Sequence, residues 1–133
     1  MLPITTVLVS ALSLFFIWLS MQVIKRRRAF RVLIGTGGKE ELKWAIRAQG
    51  NFSEYVPITL ILFAMAEFNQ TDWRLLIVFA VILVLGRLLH AYGFLFAQDR
   101  LEFRVKGMLL TVAAIYTLSV WNVGFVGYQL FVR

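Results

Sequence analysis

An all-helical integral membrane bundle with four transmembrane helices is the fold class that this sequence predicts, and three observations carry the prediction. Of its 133 residues, 60% are hydrophobic and only 16% are charged, against the roughly 45–50% apolar content usual for soluble domains. The hydropathic runs break at their charges into four spans, about residues 2–24, 44–68, 73–97 and 105–132, each near or above the roughly 20 residues that cross a bilayer. The connections are short, which leaves no length for a soluble domain and makes residues 1–133 a single membrane unit. Cysteine is absent, which excludes disulfides, thiolate metal ligands and a cysteine nucleophile.

The first span begins almost at Met1, has no basic segment before it and lacks a small-residue cleavage site, so it reads as a retained helix rather than a removed signal. It stops at Lys25-Arg26-Arg27-Arg28, a run suited to anionic lipid headgroups. Further on, Gly35-Thr36-Gly37-Gly38-Lys39 has the outline of a phosphate loop. It lacks the earlier glycine, and Glu40 stands where Ser or Thr is required, so the segment reads as a turn.

The formal net charge of +7 follows membrane topology rather than a nucleic-acid surface, because the cations flank spans. Loop one holds Lys25, Arg26, Arg27, Arg28, Arg31, Lys39 and Lys43, and loop three holds Arg100, Arg104 and Lys106. The other side has little beyond Arg74 and Arg133. The positive-inside rule therefore places loops one and three in the cytoplasm and both termini across the membrane.

The second helix, expected from near Glu41, carries the polar stripe Arg47-Ala48-Gln49-Gly50-Asn51-Phe52-Ser53-Glu54-Tyr55 directly into apolar sequence. A charge near the bilayer centre costs about 2.5–3.5 kcal/mol on the mildest scales, so such groups face a bundle interior or a wet cavity and mark function. Steps of four and three residues place Arg47, Asn51 and Glu54 on one helix face. Pro57 is tolerated where neighbouring helices satisfy the freed carbonyl.

Asn69-Gln70-Thr71-Asp72 forms the turn into helix three, making helices two and three an antiparallel hairpin. Helix three places Arg87, His90 and Phe94 at three- and four-residue spacing. With no second histidine or carboxylate at metal spacing, no metal is expected, and a satisfied bundle histidine is the plain alternative for His90. Residues 98–104 form loop three, and Arg104 stands where helix four begins. Trp18, Trp44, Trp73 and Trp121 lie toward span ends and read as an interfacial belt.

Antiparallel threading brings the end of helix one, the start of helix two, the end of helix three and the start of helix four to one side. Arg27, Arg47, Gln49, Asn51, Glu54, His90 and Arg104 then lie within about two or three turns of one interface, at 1.5 Å rise per residue. Several guanidiniums, amides and one carboxylate suit a small zwitterion with more than one carboxylate, since arginine forks bind carboxylates bidentately. Glu54 takes an ammonium group or holds Arg47 in place. A charged ligand beside lipid suggests chemistry between a water-soluble and a lipid-soluble reactant.

These residues carry a resemblance. Gln22-Val23-Ile24 followed by Arg27-Arg28-Ala29-Phe30-Arg31-Val32, then Arg47-Ala48-Gln49, Asn51 and Ser53-Glu54-Tyr55 before Pro57, resembles the MAPEG family, the membrane-associated proteins in eicosanoid and glutathione metabolism. The likeness is strongest to its leukotriene C4 synthase and microsomal glutathione transferase branches. Length and four-helix plan agree along the whole chain. The resemblance implies a homotrimer that binds glutathione between subunits on the cytoplasmic side, through Arg27, Arg47, Gln49, Asn51, Glu54 and Tyr55. Arg104 resembles the arginine that stabilises the glutathione thiolate, with Arg100 as its competitor. Two helix-three positions that are tyrosines in the leukotriene C4 synthase branch are here His90 and Phe94, the former as in the prostaglandin E synthase branch. Both are expected to line the glutathione site.

The expected activity is that of a membrane glutathione transferase acting on hydrophobic electrophiles arriving from lipid, with lipid hydroperoxides included. Glutathione is the cosubstrate. A non-catalytic lipid-binding adaptor, like the five-lipoxygenase-activating member of the same family, and a small multidrug transporter are the alternatives. A short chain of this kind is expected in a bacterial inner membrane.

Overall fold

A computed structural model describes residues 1–132 as four helices in chain order, α1 (Pro3–Phe30), α2 (Glu40–Phe68), α3 (Trp73–Leu95) and α4 (Leu101–Val132). Their succession alternates direction, so loops one and three share one end of the bundle. The helix α2 is central and packs on all three others, while α1 and α4 make no contact among the described residues.

The helix α1 starts with Pro3 in its first turn, where a missing N–H costs nothing. Its first turn has no acid of its own. Glu67, at the far end of α2, supplies one instead: Oε1 accepts from the Ile4 N–H at 2.9 Å and Oε2 from the Thr5 N–H at 2.7 Å. A carboxylate there satisfies free donors and meets the positive end of the helix dipole. The helix then runs past the expected limit at residue 24 to Phe30, so Lys25, Arg26, Arg27 and Arg28 form its last turns. Hydropathy marks where the membrane ends, whereas backbone hydrogen bonding continues into water. Arg31 closes the helix in the left-handed region with φ 55°. The expected turn follows, with Gly37 at φ 54° so close to Val32 that a Cβ there would lie 2.6 Å from Cγ2.

Glu40 and Glu41 occupy the positive first turn of α2. Three helices, Pro3–Phe30, Trp73–Leu95 and Leu101–Phe131, are long and apolar enough to cross a membrane, and the protein is a multi-pass membrane protein. The helix α2, expected to span at 44–68, is not among them by composition, although its 29 residues extend about 43 Å at 1.5 Å each. Asn51, Ser53, Glu54 and Glu67 lower its hydropathy. Beside Pro57, the Thr59 hydroxyl donates to the Tyr55 carbonyl at 2.7 Å.

The turn 69–72 falls where the sequence places it, and Asp72 caps α3 by accepting from the Arg74 N–H at 2.7 Å. The helix α4 begins at Leu101, within the expected loop three, so Arg104 sits inside its first turns. The pair α3 and α4 packs most closely. Glycines permit this approach: a Cβ at Gly107 would stand 2.5 Å from the His90 nitrogen and 2.6 Å from the Gly86 carbonyl oxygen. Small residues at such crossings let membrane helices gain van der Waals contact and interhelical hydrogen bonds.

Candidate functional site

The polar residues gather at the end that carries loops one and three, on three helices. From α2, Asn51 turns inward and accepts from Arg87 Nη1 through Oδ1 at 2.9 Å. Arg87, on α3, is only 2% exposed, and its Nε and Nη2 are buried without a partner. Tyr55, one turn beyond Asn51 on α2, is half-buried. A guanidinium without hydrogen-bond partners is costly to bury.

His90 lies one turn further along α3, 6% exposed. Its Nδ1 pairs with the Arg104 carbonyl at 2.8 Å. A carbonyl only accepts, so Nδ1 carries the proton; in the neutral ring Nε2 is then a bare acceptor, and it is buried without a partner. The charges of Arg87, Arg104 and Arg47 all reach this ring. Phe94 meets it edge-on at 5.0 Å and 78°.

From α4, Arg104 stretches back over two aromatic rings. Its Cζ lies 4.9 Å from the Trp44 centroid and 5.3 Å from that of Phe94. Nη2 donates to the Gln98 carbonyl at 3.3 Å, and Nε is buried and unpartnered. Arg100 instead rests over Phe103 at 5.8 Å on the exposed side. Geometry thus places Arg104, and not its competitor, in the cluster.

Arg47 and Glu54 form an ion pair at 3.8 Å across two turns of α2, each side chain more than half exposed in the single chain. The expected shared face therefore divides. At 100° per residue Glu54 returns to within about 20° of Arg47, whereas Asn51 is offset by about 40° the other way, toward the bundle. Gln49 is half-buried beside them on the same helix. Arg27 is spent elsewhere: its Nη1 donates to the carbonyls of Val32, Leu33 and Gly35 at 3.5, 3.2 and 3.1 Å, holding loop one in shape.

Two participants escaped the sequence reading. Arg87 was visible in the His90 register but not as the most buried charge. Trp44, read as a belt residue, also stacks on Arg104. Only its position three residues before Arg47, facing the start of helix four, hinted at this. Among the described residues no group of three or more His, Cys, Asp or Glu side chains could hold a metal ion.

Residues 5–124 match the model described as the MAPEG family. The chain is also 35% identical over 112 residues to inner membrane protein YecN of Escherichia coli strain K12, covering 84% of this chain and 83% of that one. The same protein from Escherichia coli O6:H1 gives the same identity and coverage.

Proposed function

The chain belongs to the MAPEG family, and from that premise we propose that it is a membrane glutathione transferase of a bacterial inner membrane. One observation carries the reading: at a single end of the bundle, Arg87 of α3 and Arg104 of α4 hold buried N–H groups that no described residue satisfies, and the exposed guanidinium of Arg47 stands on α2 at the same end. Such a deficit fits an anionic ligand. Glutathione, with two carboxylates, an ammonium and a thiol, matches the donors of Arg47, Asn51, Arg87 and Arg104, the carboxylate of Glu54 and the flanking Gln49, Tyr55, His90 and Phe94.

The reaction follows from charge. A thiol of pKa near 8.5 attacks as its thiolate. A guanidinium held beside the sulfur favours the anion, and each unit of depression is about 1.36 kcal/mol. Arg104 is the group for this task. The thiol proton leaves to water, the sulfur–carbon bond forms, and the leaving group departs from a hydrophobic electrophile that reaches the site from lipid. Positioning of the two reactants supplies the rest of the rate.

The homotrimer belongs to the same proposal. Arg47 and Glu54 are more than half exposed on the single chain, and a second copy packed over α2 would bury them. The site faces the cytoplasm, where the cationic loops lie.

The test is turnover by detergent-purified protein with glutathione and a chromogenic aryl halide. Conjugation that depends on both substrates is expected. Glutathione binding with no turnover on aryl halides, epoxides or hydroperoxides contradicts the transferase and leaves a binding protein.

A further inference from the structure

Trp44, near a span end like the other tryptophans, sits against a cation that another helix supplies. Its ring lies 4.9 Å from Arg104 Cζ and 5.8 Å from the Phe94 centroid at 37°. Phe94 covers the guanidinium at 5.3 Å. Rings from α2 and α3 thus fix a cation that α4 supplies.

The rest of that side chain is fixed as well. Its stem crosses Gly93, where a Cβ would meet Arg104 Cγ at 2.7 Å. Its backbone carbonyl takes the His90 Nδ1 proton at 2.8 Å, and Nη2 rests on the Gln98 carbonyl at 3.3 Å. None of these partners is an acid. A carboxylate in their place would neutralise the guanidinium and compete with an incoming anion. Aromatic faces attract the cation through their quadrupoles and leave its charge intact.

We infer that Trp44 is a positioning residue that holds the Arg104 guanidinium, at undiminished charge, where the glutathione thiolate lies, an inference that rests on the transferase reading. The role is separable from binding, because Trp44 offers glutathione no charge. Its loss moves the thiol's ionisation more than the tripeptide's affinity.

The experiment compares the wild type with Trp44→Phe, which keeps a π face, and with Trp44→Leu and Trp44→Met, which do not. Ultraviolet difference absorbance reports the bound thiolate across pH, calorimetry reports glutathione affinity, and aryl halide turnover gives kcat and KM. In Trp44→Leu and Trp44→Met the apparent thiol pKa is expected to rise by about one unit, toward the free value near 8.5, with about tenfold lower kcat at neutral pH. Glutathione affinity is expected to change less than about twofold, and Trp44→Phe to recover most of the loss. If Trp44→Leu fails to fold, Trp44→Met carries the comparison with bulk preserved. A wild-type thiolate profile in Trp44→Met overturns the inference alone. Absence of glutathione heat in the wild type overturns the transferase reading and the inference with it.

Discussion

The two ends of this bundle treat polar groups in opposite ways. Where α1 begins, Glu67 spends both carboxylate oxygens on the Ile4 and Thr5 N–H groups. Nearby, Trp121 donates to the Thr71 hydroxyl at 2.8 Å and Asn122 to the Leu62 carbonyl at 3.0 Å. What remains buried and unpartnered there is neutral, the Thr5 hydroxyl and the Asn122 amide oxygen. At the other end the unpartnered atoms are guanidinium nitrogens of Arg26, Arg87 and Arg104 and the His90 Nε2. One end is closed on itself and structural. The other holds buried guanidinium nitrogens without partners, a costly feature inside a membrane bundle.

The comparison breaks most visibly at Arg104. Replacing it with alanine is expected to lower kcat by about 100- to 1000-fold, the usual loss when one preorganised electrostatic group is removed. The acidic limb of the pH–rate profile should move up toward the free thiol value near 8.5. Retained turnover in Arg104→Ala removes its assigned role. Arg87→Met is expected to weaken glutathione affinity by about tenfold, or about 1.4 kcal/mol. Thermal stability should hold or rise, because deleting an uncompensated buried charge offsets the lost hydrogen bond to Asn51. A large drop in Tm with unchanged calorimetric affinity would place Arg87 among the structural residues instead.

The smallest effect is expected at the closed end. Glu67→Gln removes the charge from the N-terminus of α1 and should cost about 0.5–1 kcal/mol of stability, read as a lower unfolding midpoint, with glutathione affinity unmoved. Weakened binding in this variant would erase the distinction between the ends.

The difference between the ends also sets what a sequence can disclose. The Arg47 to Tyr55 stripe was legible because charge in an apolar run stands out against its neighbours, and its spacing identified the Arg47–Glu54 pair at two turns. The turn 69–72 was legible for the same local reason. Hydropathy missed the helical backbone of residues 25–30 and 101–104, which lies beyond the apolar spans that hydropathy detects. Glu67 was illegible because its partners are backbone groups more than sixty residues away, at Ile4 and Thr5. The contact of Trp44 with Arg104 was illegible because a tryptophan near a span end has the same local pattern whether it faces headgroups or a guanidinium.

Glutathione titrated into the detergent-purified wild type, Arg47→Ala and Glu67→Gln separates the two ends in one calorimetric series. Saturable binding is expected in the wild type and, undiminished, in Glu67→Gln, with affinity falling by about tenfold or more in Arg47→Ala as a charge-assisted contact is lost. No saturable heat in the wild type, or equal affinity in all three proteins, contradicts a glutathione site at the loop-one and loop-three end.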